Sequence, residues 1–143
     1  MKNIIVLSLF FFFVTVQGFS QNWLTDFSEA KSLAEEQNKK IILVFSGSDW
    51  CGPCIKLDAK IWKSTSFKEF SKNNLIMLKA DFPRKKKNKL SKEQQTKNDL
   101  LAEKYRAEFP LIVVLNYRGE VLGRIGFVKK YESIDYINFI SEL

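Results

Sequence analysis

Two cysteines, Cys51 and Cys54, stand three positions apart between two segments of different character. Ahead of them runs Ile41-Ile42-Leu43-Val44-Phe45, an unbroken apolar stretch rich in β-formers. Behind them, Ile55 to Trp62 reads as a helix. This order carries two thiols from the end of a buried strand to the start of a helix. The first turn of a helix leaves backbone N–H groups unpaired and carries the positive end of the dipole, so it favours an anion. A cysteine held there has a lowered pKa and is a better nucleophile at neutral pH. Pro53 suits the same place, where a missing N–H costs little.

The chain has two cysteines and no histidine. No Ser-His or Cys-His catalytic pair can form, and no imidazole can act as a general base. Tetrahedral zinc wants about four Cys or His ligands, so a zinc site is excluded and no metal is expected. Nucleophilic chemistry here must use a thiol activated by its own surroundings.

At 143 residues, 45% of them hydrophobic, the chain has the length of one domain and enough apolar side chains for a core. Met1-Lys2-Asn3 is a short positive segment, Ile4 to Val16 is almost wholly apolar, and Gly18-Phe19-Ser20 offers small residues at the −3 and −1 positions of a cut. This is the pattern of a secretory signal peptide, residues 1–20, with cleavage after Ser20. The apolar run is short beside the roughly 20 residues of a membrane span; an uncleaved anchor is the alternative. An exported chain, periplasmic or secreted, meets an oxidising compartment, where a cysteine pair is often a structural staple. A bridge across two residues, however, closes too small a loop to remove much unfolded-state entropy. The net charge of +7 mostly confers solubility and can favour acidic partners or membrane surfaces. No aromatic-basic binding motif is visible, so nucleic acid is not expected as a partner.

Thr25 reads as an N-cap for a helix over Asp26 to Gln37, with Phe27, Ala30, Leu33 and Ala34 inward and Trp23 packing at its entry. Ile41 to Phe45 is a strand buried on both faces. The helix after the thiols offers Ile55, Leu57, Ile61 and Trp62, and a second short piece, Phe67 to Lys72, turns Phe67 and Phe70 inward. Leu75 to Asp81 is the next strand, which predicts a right-handed parallel βαβ unit. Five cations then lie between Arg84 and Lys89, either as a solvated loop or as a docking surface for an acidic partner. Ser91 and Gln94 form a capping-box pattern for a helix to Arg106 that buries Leu100, Leu101 and Tyr105. Leu111 to Leu115 is a buried strand, residues 116–120 are turn chemistry, and Val121 to Ile125 returns antiparallel. A last helix, Tyr131 to Glu142, buries Ile134, Ile137, and Phe139 or Ile140.

Trp50-Cys51-Gly52-Pro53-Cys54 behind a hydrophobic strand resembles the active site of the thioredoxin family. The longer string Phe45-Ser46-Gly47-Ser48-Asp49-Trp50-Cys51 resembles a secreted bacterial branch of it. The resemblance extends to the order of elements, so residues 21–143 are expected to form one thioredoxin-like α/β domain. Its sheet would be mixed and four-stranded, two strands parallel and two antiparallel, flanked by helices with an extra helix at the N-terminus.

The resemblance implies a redox-active Cys51–Cys54 disulfide and no other cofactor. Cys51 would be the exposed nucleophile that attacks a substrate disulfide, and Cys54 would resolve the mixed disulfide. Pro110 matches the family's cis-proline, which leaves the backbone of Phe109 free to pair with a substrate strand. Trp50 would shield the thiols, Gly52 and Pro53 would shape the turn between them, and Gly126 would line the substrate groove. One departure stands out. The family's buried acid, six residues before the first cysteine, is replaced by Phe45, while its usual lysine partner survives as Lys79. Asp49 is then a candidate for proton transfer. The implied activity is a thiol-disulfide oxidoreductase that reduces protein disulfides, with a disulfide oxidase or isomerase as the alternative. It would act as a monomer on disulfide-containing proteins and draw electrons from a membrane thiol donor. A thioredoxin-like binding module with a permanent bridge is the reading from another class.

Overall fold

A strand that the sequence pattern does not announce, β1 (Trp23–Leu24), opens the folded chain. The computed structural model describes residues 21–143, so the signal-peptide expectation for 1–20 lies outside the described residues. Helix α1 (Phe27–Gln37) follows, capped by Asp26 rather than Thr25: the Asp26 carboxylate accepts the Glu29 N–H at 3.0 Å. Asn38 closes it in the left-handed conformation, at φ 52°. Strand β2 (Lys40–Ser46) leads to α2 (Gly52–Leu57), which passes directly into a π-helical turn, Asp58–Trp62. After it come α3 (Thr65–Asn74), β3 (Leu75–Asp81), α4 (Lys92–Tyr105), β4 (Leu111–Leu115), β5 (Val121–Ile125) and α5 (Ser133–Ser141).

The sheet therefore has five strands, not four, in the order β1-β3-β2-β4-β5. β1 and β2 run parallel to β3, whereas β4 is antiparallel to both β2 and β5. The additional strand is two residues long, too short to show a period of two, and only its pairing to Met77 and Leu78 reveals it.

Alternate residues of β2 point to opposite faces, and each face has its own core. Ile41, Leu43 and Phe45 pack with Ala30 and Ala34 of α1 and with Leu101 and Tyr105 of α4. Ile42 and Val44 pack with Leu57, Ile61, Trp62, Phe67, Tyr136 and Ile140, from the elements on the other side. Ala30 and Ala34 are fully buried; their small side chains let α1 approach the sheet closely. The π turn brings the adjacent Ile61 and Trp62 inward together, at 0% and 2% exposure.

Several apolar positions expected in the core lie outside it. Ile55, Leu100 and Ile134 are exposed, while Tyr136, which the pattern did not single out, is fully buried. The expected capping box at Ser91 is half formed. The Ser91 hydroxyl accepts the Gln94 N–H at 3.1 Å, but the Gln94 amide donates to the Thr25 carbonyl and to Asn98 instead. These bonds tie α4 to the entry of α1.

Candidate active site

Cys51 is the N-cap of α2, with extended φ and ψ of −87° and 104°. Its sulfur accepts the Cys54 N–H at 3.3 Å, so the donors of the first turn face it. Cys51 and Cys54 form a disulfide, with their Cα atoms 5.2 Å apart. In this oxidised form Cys51 is 5% exposed and Cys54 3%, so the expectation of an exposed Cys51 is not met while the bridge holds it against the helix start. Gly52 and Pro53, by contrast, lie in solvent on the rim. Among the described residues no group of His, Cys, Asp or Glu is placed to hold a metal ion.

The Phe109–Pro110 peptide bond is cis, the isomer that the resemblance implied. Leu111 pairs with Phe45, which sets Phe109 and Pro110 at the same end of the sheet as the loop leaving β2. Gly126 stands over Pro110: a Cβ there would lie 3.6 Å from the Pro110 carbonyl oxygen. The segment holding Gly126 is pinned from below by Tyr136. Its hydroxyl donates to the Gly126 carbonyl at 3.1 Å and accepts the Val128 N–H at 3.0 Å. Burial is the chief reason the Tyr136 phenol titrates above its ordinary value, so it is a neutral donor at any physiological pH. The structure thus brings Cys51, Cys54, Trp50, Phe109, Pro110 and Gly126 to one end of the sheet.

Trp50 is held by its surroundings. Its indole lies flat against Gly47, where a Cβ would come within 2.3 Å of the ring. Its Nε1–H donates to the Phe82 carbonyl at 2.7 Å. The ring centroid is 5.6 Å from that of Phe109, which in turn is 5.2 Å from that of Phe82. The Arg84 guanidinium caps the indole at 3.6 Å. The contacts of Phe82 and Arg84 with Trp50 had no signal in the sequence, because they join residues more than 30 positions apart.

Asp49 does not point its carboxylate into proton-transfer chemistry. It accepts the Arg84 and Lys85 N–H groups at 2.9 and 3.0 Å and the Asn88 amide at 2.9 Å. These bonds, the Arg84 N–H foremost, hold its pKa below the usual carboxylate value, which makes it a poor proton acceptor. Beside it, Asp81 holds the Ser48 N–H at 3.0 Å and the Ser48 hydroxyl at 2.5 Å. The loop before Cys51 is therefore fastened on both sides by carboxylates.

Lys79 pairs in register with Val44, and Phe45 with Ala80. The lysine and the phenylalanine that replaces the acid consequently face opposite sides of the sheet. Lys79 reaches Asp58 at 3.9 Å and lies 4.6 Å over the ring of Trp23. Asp58 begins the π turn, and its N–H donates to the Cys54 carbonyl. Residues four apart share a helix face, with Cβ atoms typically about 5–6 Å apart, so Asp58 follows Cys54 on its face one turn on. Asp58 also pairs with Lys63 at 2.7 Å. A carboxylate four residues after the second cysteine was visible in the sequence; its link to Lys79 was not.

A family model described as thioredoxin-like matches residues 22–116. Over 102 residues the chain is 39% identical to a protein of Chlamydia pneumoniae named disulfide bond reductase DsbH, which covers 71% of this chain and 60% of that one. Over 105 residues it is 27% identical to the thioredoxin-related protein DsbJ of the same organism, covering 73% of this chain and 30% of that one. The chain therefore spans less than two thirds of the length of either. A solved structure of a DsbH oxidoreductase superposes with a TM-score of 0.79 at 34% identity, over 86% of this chain and 83% of that one. A thioredoxin from Thermus thermophilus superposes at 0.65 with 15% identity, over 86% of each chain, and shares the fold.

Proposed function

The chain belongs to the thioredoxin-like family, and from that premise we propose that it is an exported thiol-disulfide oxidoreductase that reduces protein disulfides. The observation that carries this reading is the Cys51–Cys54 bridge at the start of α2, at the same end of the sheet as cis-Pro110. The reductive direction is supported by the Gly-Pro pair between the thiols and by the name of the DsbH relative.

In the reduced protein the Cys51 thiolate attacks one sulfur of a substrate disulfide. A Cys51–substrate bond forms, the substrate's own S–S bond breaks, and its second sulfur leaves as a thiolate. Cys54, once deprotonated, attacks Cys51. The mixed disulfide breaks, the Cys51–Cys54 bridge forms, and the second substrate sulfur leaves. The substrate gains two electrons and the protein loses two, which a membrane thiol donor would restore. The second step is intramolecular and is fast through proximity. Phe109 offers its backbone to the substrate strand, Pro110 and Gly126 bound its track, Trp50 covers the thiols, and Gly52 with Pro53 shapes the turn between them. Proton transfer from Cys54 falls to Asp58 with Lys79 behind it, in place of Asp49, whose carboxylate is committed to the loop.

The test is trapping. Mixed with a protein disulfide, Cys54→Ser should accumulate a mixed disulfide at Cys51, and Cys51→Ser should neither trap nor turn over. A binding module with a permanent bridge would keep its partner in both variants, and that result would overturn the reading.

A further inference from the structure

The loop that carries Arg84, Lys85, Lys86, Lys87 and Lys89 is fastened to the residues that precede Cys51. Asp49, two positions before the nucleophile, receives two of the loop's N–H groups and the Asn88 amide. The Phe82 N–H donates to the Ser46 carbonyl at 2.8 Å, and the Phe82 carbonyl receives the Trp50 indole N–H. A short 3₁₀ turn, Lys86–Asn88, fixes the tip.

The loop is also continuous with the substrate side of the site. Arg84 stacks on Trp50, Trp50 adjoins Phe109, and Phe109 is itself 38% exposed and precedes Pro110. An unbroken wall of aromatic and cationic groups thus runs from the cis-proline to the lysines. Lys85, Lys86, Lys87 and Lys89 are all exposed, and none forms a direct ion pair among the described residues, although the Lys85 charge acts on Asp49. Asp49 is hydrogen-bonded to the loop's backbone and to Asn88.

We propose that this loop is a docking surface for acidic polypeptide: it selects disulfide-bearing proteins with Asp or Glu residues close to the cysteine that Cys51 attacks. The proposal rests on the thiol-disulfide reading and adds the substrate class. Arg84 contributes through its place on Trp50, at the junction between loop and thiols, and the four lysines supply the field that draws the acidic segment in. Attraction of this kind raises the association rate and is screened by salt.

Two peptides with the same internal disulfide test it, one with Asp and Glu beside its cysteines and one with Asn and Gln in their place. Each is mixed with the reduced protein, and the second-order rate is measured at low and at physiological ionic strength. The acidic peptide should react about tenfold faster at low salt, and the gap should narrow as salt is added. In the variant Lys85→Gln, Lys86→Gln, Lys87→Gln, Lys89→Gln the preference should fall to about twofold or less. Equal rates in the unaltered protein, or a preference that survives the four substitutions, would overturn the proposal. So would tight binding to anionic lipid vesicles without preference between the peptides, which would assign the loop to a membrane surface. Failure to react with either peptide would sink the thiol-disulfide reading itself, and the docking proposal with it.

Discussion

Gly47→Ala is the smallest change that disturbs the wall beside the thiols. A Cβ at residue 47 would stand 2.3 Å from Trp50 Cε2 and 2.6 Å from Cζ2 and Nε1. The indole is rigid, so it must swing away. It then loses the Nε1–H bond to the Phe82 carbonyl, worth about 1 kcal/mol. It loses the Arg84 guanidinium on its face, about 0.5–1 kcal/mol at a partly exposed site. It also loses its contact with the Phe109 ring, about 0.5–1.5 kcal/mol. Alanine returns roughly 0.5 kcal/mol by restricting the unfolded chain. The net loss is about 2 kcal/mol, or roughly 6 °C in Tm for a domain of this size. Thermal unfolding followed by circular dichroism reads the stability, and indole fluorescence reads the displaced ring. Gly52→Ala is the control: a Cβ there meets nothing within 4 Å, so its stability should change by less than about 0.5 kcal/mol. If Gly47→Ala unfolds with the parent, or both variants lose the same amount, the close approach of Trp50 to residue 47 has been misjudged.

Three further outcomes follow from single contacts. Asp58→Asn should slow the resolving step about 10²-fold and change its pH profile, yet cost only about 0–1 kcal/mol of stability because its ion pairs are partly exposed; an unchanged decay of the mixed disulfide after rapid mixing would remove Asp58 from proton transfer. Tyr136→Phe leaves the Gly126 carbonyl and the Val128 N–H without their shared hydroxyl and should cost about 2 kcal/mol in urea unfolding; a loss under roughly 0.5 kcal/mol would mean that the segment finds other partners. The Glu29 N–H first, and then Lys97, hold the Asp26 carboxyl below its usual pKa. Such a group contributes stability above its unfolded value of about 3.9, and the contribution disappears as pH falls through the lower folded value. Asp26→Ala should therefore cost about 1 kcal/mol at neutral pH, with the difference from the parent shrinking in acid; a difference constant with pH would contradict this.

What could be read in the sequence was what lies contiguously along it. The strand before the thiols, the thiols themselves and the helix after them occupy one stretch, Ile41 to Trp62, so pattern and chemistry reinforced each other. Pro110 was identified through family likeness, and the cis bond sits there. The role of Asp49 in fastening the loop was not legible, because its partners lie at Arg84, Lys85 and Asn88, a separation no local pattern encodes. Lys79 was singled out as a lysine lacking its usual acid; the carboxylate that it reaches comes from the helix side, at Asp58. Ile55, Leu100 and Ile134 have the composition of core residues and face solvent, because each lies on the side of its helix turned away from the sheet. β1 escaped notice because two residues cannot display a periodicity.

The reduction potential of the Cys51–Cys54 pair bears most directly on the central claim that this protein reduces disulfides. It is measured by equilibrating the protein with a glutathione or dithiothreitol couple and titrating the free thiols. A value near that of thioredoxin, on the order of −270 mV, is the result expected of a reductase fed by a thiol donor. A value near roughly −120 mV would mark an oxidant and contradict the reductive direction; a bridge that stays closed against every reductant in the folded protein would contradict the thiol-disulfide chemistry altogether.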